Sequence, residues 1–78
     1  MKAGMSEIVG KEIVGVVAAR NGDMPNHQVF LAFSDGTYFE FFGENFSCAS
    51  GVLPGGLEKA TQYAVSMGGT ITHLYKKE

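Results

Sequence analysis

The sequence predicts a small α+β fold: an antiparallel β-β-β meander followed by one helix and a final strand (β-β-β-α-β), with the helix packed on one sheet face. Three observations predict it. Two runs rich in branched and aromatic residues flank Asp35-Gly36, a strong short-range hairpin signal. A further branched run precedes them at 12–19. Residues 57–67 place apolar and small side chains at helical spacing, stop at Gly68-Gly69, and give way to an alternating segment.

The first strand is Glu12-Ile13-Val14-Gly15-Val16-Val17-Ala18-Ala19. Branched side chains favour the pleated conformation over the helix. Asn21-Gly22-Asp23-Met24-Pro25-Asn26 then collects turn formers and a proline, which reads as a loop. His27–Phe33 is the second strand and Tyr38–Phe42 the third. A two-residue turn at Asp35-Gly36 would oppose Phe33 to Tyr38, Leu31 to Glu40 and Val29 to Phe42. Opposed residues share a face, so those six would line one side. Phe30, Ala32, Phe39 and Phe41 would line the other, leaving both sides apolar.

Asn45–Ser50 alternates weakly and admits a short extended segment. Gly51-Val52-Leu53-Pro54-Gly55-Gly56 reads as a helix approach, with Pro54 suited to a first turn. In the helix, Leu57, Ala60, Ala64 and Met67 fall on one face, with Glu58, Lys59 and Gln62 opposite. Gly68-Gly69 supplies the stop. Thr70–Tyr75 alternates as the last strand. A right-handed crossover places it beside the first strand and parallel to it, in the order 3-2-1-4, with pairing beside the third strand as the alternative.

The chain has 78 residues, a single domain over 1–78. Domains this small bury only about 60–65% of their unfolded surface and usually need a staple. Cys48 is the only cysteine, so no disulfide forms within the chain. His27, His73 and Cys48 lie far apart in sequence with no metal-ligand spacing, and no metal or cofactor is expected. Association is the staple that remains.

Net charge is −2, and the six basic residues are scattered. Phosphate binding wants clustered positive charge, so no nucleic-acid partner is expected. The aromatic strand 38–42 resembles a stacking platform, but carries only a glutamate. No apolar run nears the roughly 20 residues of a membrane helix, and the first residues lack a signal-peptide core. A cytoplasmic location is the default expectation.

Other motifs give little chemistry. The glycines of 51–56 are spaced like a phosphate loop, yet Leu57 and Glu58 stand where its Lys and Ser/Thr belong, so the nucleotide reading fails. Cys48 precedes the helix and could in principle be activated by His73, but no third residue orients the pair. Without an activating partner it reads as a small hydrophobe. Glu40 lies on an aromatic strand without a second carboxylate, which favours a rim charge over an acid-base role.

The expectation is a non-enzymatic binding or assembly module acting as a homo-oligomer, a homodimer above all. One helix covers one face, and the other would exceed the apolar patch a monomer exposes. The residues assigned to that interface are Phe33, Tyr38, Glu40, Phe42, His73 and Tyr75. The alternative is a small enzyme or ligand binder with a pocket between helix and sheet near Glu40, Cys48 and His73.

Overall fold

Each predicted strand and the helix form where the residue pattern places them. The computed structural model describes residues 3–22, 27–43 and 47–77. In chain order the elements are α1 (Ala3–Ser6), β1 (Ile13–Arg20), β2 (His27–Phe33), β3 (Thr37–Phe42), β4 (Ser47–Cys48), β5 (Leu53–Pro54), α2 (Gly56–Ser66) and β6 (Thr70–Lys76). The protein is α+β: an antiparallel sheet ordered β4-β3-β2-β1-β6, with β5 also paired to β3, and one helix, α2, packed on it.

The hairpin register differs by one residue from that of a two-residue turn. Ala32 opposes Tyr38, Phe30 opposes Glu40 and Gln28 opposes Phe42. The loop holds three residues, Ser34-Asp35-Gly36. Gly36 adopts φ 86° and donates its N–H to the Phe33 carbonyl at 3.0 Å. Asp35 Oδ1 accepts from the Thr37 amide at 3.0 Å and from Thr37 Oγ1 at 2.6 Å. Asp-Gly therefore occupies the last two loop positions rather than the whole turn, a common variant of the same signal. A slip of one residue exchanges faces. Tyr38, Glu40 and Phe42 join Gln28, Phe30 and Ala32, while Phe33 goes to the opposite side with Leu31 and Val29.

The face of Phe30 is the one that α2 covers. Val17, Ala19, Phe30 and Tyr38 pack with Ala60 and Ala64, and Leu57 and Ile71 close the periphery. Phe30 meets Tyr38 and Tyr63 edge-on, with ring centroids 6.1 and 6.0 Å apart. Burying a ring such as Phe30 contributes about 2–3 kcal/mol. Gly15 lets the helix approach, because a Cβ there would lie 3.0 Å from Leu57 Cδ2. Leu57, Ala60 and Ala64 thus take their expected inner positions. Met67 does not: it caps the helix and is exposed.

The end of α2 satisfies its carbonyls through glycine. Gly68, at φ 87°, donates to Val65 O at 2.9 Å, and Gly69 donates to Ala64 O at 3.0 Å, the paired closure of a Schellman motif. Pro54 is not in the first helical turn. It pairs with Thr37 in β5, and Gly55 caps the helix while donating its N–H to Gly36 O at 2.9 Å.

The last strand lies beside β1, as expected, but runs antiparallel to it. The reason is the return leg. After β3 the chain runs back along that strand through β4 and β5, reaching the hairpin end at Pro54. Helix α2 then climbs the sheet, so β6 must descend.

Candidate functional site

Opposite α2, the register sets out a second surface in rows. One row crosses all five strands of the main path: His73, Ala18, Val29, Phe41 and Cys48. The next holds Tyr75, Val16, Leu31 and Phe39. Phe33 follows, nearer the hairpin.

The hairpin end of this surface is closed by the N-terminal segment. Lys11 pairs with Asp35, and its ammonium lies 5.9 Å from the centroid of the Phe33 ring. That ammonium, helped by the Thr37 hydroxyl, holds the Asp35 carboxyl down to about 2. Glu7 Oε1 accepts from the Val52 amide at 3.1 Å. Gly4 approaches so closely that a Cβ would lie 2.4 Å from Ala49 O. Phe33, beneath the Lys11 ammonium, is buried, and so is Phe39, which meets Phe41 edge-on. The aromatic surface is therefore smaller than the sequence implies, since the first dozen residues carried no packing signal.

The other half of the surface stays open. His27, Val29, Leu31, Phe41 and Phe42 line an apolar depression of 390 Å³. Beside it, Ala18, Arg20, His27, Val29 and His73 border a cleft of 300 Å³. Arg20 stands directly opposite His27 on the neighbouring strand. His73 stacks on Tyr75 with ring centroids 6.2 Å apart, and its Nδ1 lies 3.1 Å from Thr72 Oγ1.

A second depression runs between α2 and β6. It measures 840 Å³ and is lined by Leu57, Val65 and Leu74, with Glu58, Gln62 and Lys76 at its rim. Strand β6 forms an edge of the sheet, and every residue along it except Ile71 is exposed. Leu74 opposes Val17 and so shares the helix side, while Tyr75 opposes Val16 and takes the other.

The six residues assigned to an interface from the sequence divide between the two sides. Tyr38 is buried in the core under α2. Glu40 and Phe42 are half-buried on that same side. Phe33, His73 and Tyr75 belong to the opposite surface, with Phe33 buried. Only His73 and Tyr75 stand together and exposed. Glu40, Cys48 and His73 do not gather around a pocket either. Cys48 and His73 occupy opposite edges of the sheet, four strand spacings or about 19 Å apart, so His73 does not activate the thiol.

Glu40 instead pairs with Gln28, whose Nε2 donates to Glu40 Oε2 at 2.9 Å. Burial pushes the Glu40 carboxyl above its ordinary value, and this hydrogen bond pulls partly back. Gln28 is 1% exposed, and its Oε1 has no hydrogen-bond partner among the described residues. Among the described residues no three His, Cys, Asp or Glu side chains gather as metal ligands. No helix among them is long and apolar enough to cross a membrane. No family model, curated protein or solved structure matches this chain.

Proposed function

We propose that the protein is a non-enzymatic assembly and binding module whose copies associate in pairs through the β6 edge. The observation that carries this reading is the pair Leu74 and Tyr75, 50% and 64% exposed on opposite sides of one edge strand. Open backbone groups on such an edge template a further strand. A second copy laid antiparallel against β6 covers both side chains and continues the sheet from one β4 to the other. The contact is isologous, as two-fold pairs require. The helices of the two copies meet over the Leu57–Val65–Leu74 depression and fill it with apolar surface. Thr72 forms a bulge in the β1–β6 ladder, which confines regular pairing to the stretch from His73 to Lys76. The enzyme reading has no assembled residues behind it, because Cys48 and His73 lie at opposite edges.

Light scattering on a sizing column tests the proposal. The expected mass is twice 8.3 kDa, with Leu74→Lys shifting the protein to a single chain while its circular dichroism is retained. A wild-type mass of one chain at all concentrations overturns it.

A further inference from the structure

The open half of the sheet surface combines two features that share only His73 with the proposed assembly strand. The first is chemical convergence. The only arginine and both histidines of the chain come from three different strands, β1, β2 and β6, to one corner. Arg20 faces His27 directly, a separation of about 5 Å between Cβ atoms. His73 opposes Ala18, two residues from Arg20 on the same side, a diagonal of about 7–8 Å. Ala18 between them is too small to fill the corner.

The second feature is the apolar depression that continues from it. His27 and Val29 border both the 300 Å³ cleft and the 390 Å³ depression. Val29, Leu31 and Phe41 form the apolar floor beyond. The volume is within the roughly 300–1,000 Å³ of small-ligand sites.

The charge of this corner is not cancelled by the described carboxylates. Glu40 lies on the other side of the sheet with Gln28. Glu12 pairs with Lys77 at 2.6 Å and Asp35 with Lys11, both toward the hairpin end. Glu7 accepts from the Val52 amide. Glu58 is on α2, across the sheet. Among the described residues, the Arg20 guanidinium and two imidazoles therefore stand beside an apolar trough with no carboxylate paired to them.

We propose that this surface binds a small amphipathic carboxylate. Its apolar body lies on Val29, Leu31 and Phe41, and its anionic end meets Arg20, His27 and His73. A guanidinium donates two parallel hydrogen bonds to a carboxylate, which fixes orientation as well as affinity. The imidazole N–H groups add donors at either side. The apolar floor contributes affinity in proportion to the surface it covers. A neutral molecule of the same shape gains only the second part.

Titration of the full chain with octanoate, followed by amide NMR shifts, tests the inference, with octanol as the neutral comparison. The expected result is saturable shifts at Val29, Leu31 and Phe41 for octanoate, and binding about tenfold weaker for octanol. Arg20→Gln should weaken octanoate to the level of octanol and leave octanol unchanged. His27→Gln, at a second exposed position, should act in the same direction if Arg20→Gln disturbs the fold. Equal affinity for octanoate and octanol, absence of saturable binding, or shifts confined to Val65 and Leu74 overturns it. Repeating the titration on Leu74→Lys separates this site from the assembly contact, since neither group of residues borders the other's depression.

Discussion

At the scale of single residues, the most telling group is Gln28 with Glu40. The core under α2 is otherwise apolar, yet it holds an amide acceptor with no donor among the described residues. An unmet buried acceptor costs about 1–3 kcal/mol. Burial also raises the Glu40 carboxyl above its ordinary value of 4.5, so the folded protein binds that proton more tightly than the unfolded chain does. Stability is then lost as pH climbs from the unfolded value through the folded one. Glu40→Gln removes this loss and brings an amide donor beside Gln28 Oε1. It should stabilise the protein at pH 7 by about 1 kcal/mol, or roughly 4–8 °C in Tm. The gain should shrink as pH falls below 4.5, where the native carboxyl is already neutral. A lower Tm at pH 7 would show that the charge is wanted where it is. Nothing in the order of residues announced this pair: Gln28 and Glu40 come together only through a register that the turn decides.

At the scale of elements, that turn is the hinge of the argument. Gly36 adopts φ 86°, a region that costs a β-branched residue about 1–2 kcal/mol. Gly36→Val should lower Tm by several degrees, while Gly36→Asn, which tolerates left-handed backbone, should lower it less. Equal losses from both would place the strain elsewhere. The strands and α2 were legible because branched residues, alternation and helical spacing are local signals. Asp-Gly announced the hairpin but not its loop length, since two- and three-residue loops both accept glycine in that conformation. The faces of Tyr38, Glu40 and Phe42 followed the loop. The direction of β6 hinged on β4 and β5, two residues each, too short for any periodicity to show. The grouping of Arg20, His27 and His73 was illegible for a related reason: they stand apart in sequence, and only the order β2-β1-β6 joins them.

At the scale of the molecule, one sheet and one helix make a slab only 16 Å deep. Its accessible surface is 5005 Å², against about 4,600 Å² for a typical monomer of this mass. The large apolar side chains it exposes include Leu74 and Tyr75 on the β6 edge and Val29 on the open face. Association of folded chains draws unfolded ones into the native state by mass action, so a paired protein should melt higher when concentrated. Tm is expected to rise by several degrees over about a hundredfold increase in concentration. Leu74→Lys should flatten that slope and leave the dilute Tm unchanged, because Leu74 is half exposed in a single chain. A Tm independent of concentration in the wild type would mean that α2, the N-terminal segment and the sheet hold the slab without help. A Leu74→Lys protein that melts lower even when dilute would instead make Leu74 part of the chain's own core, and the groove beside it a feature of one molecule.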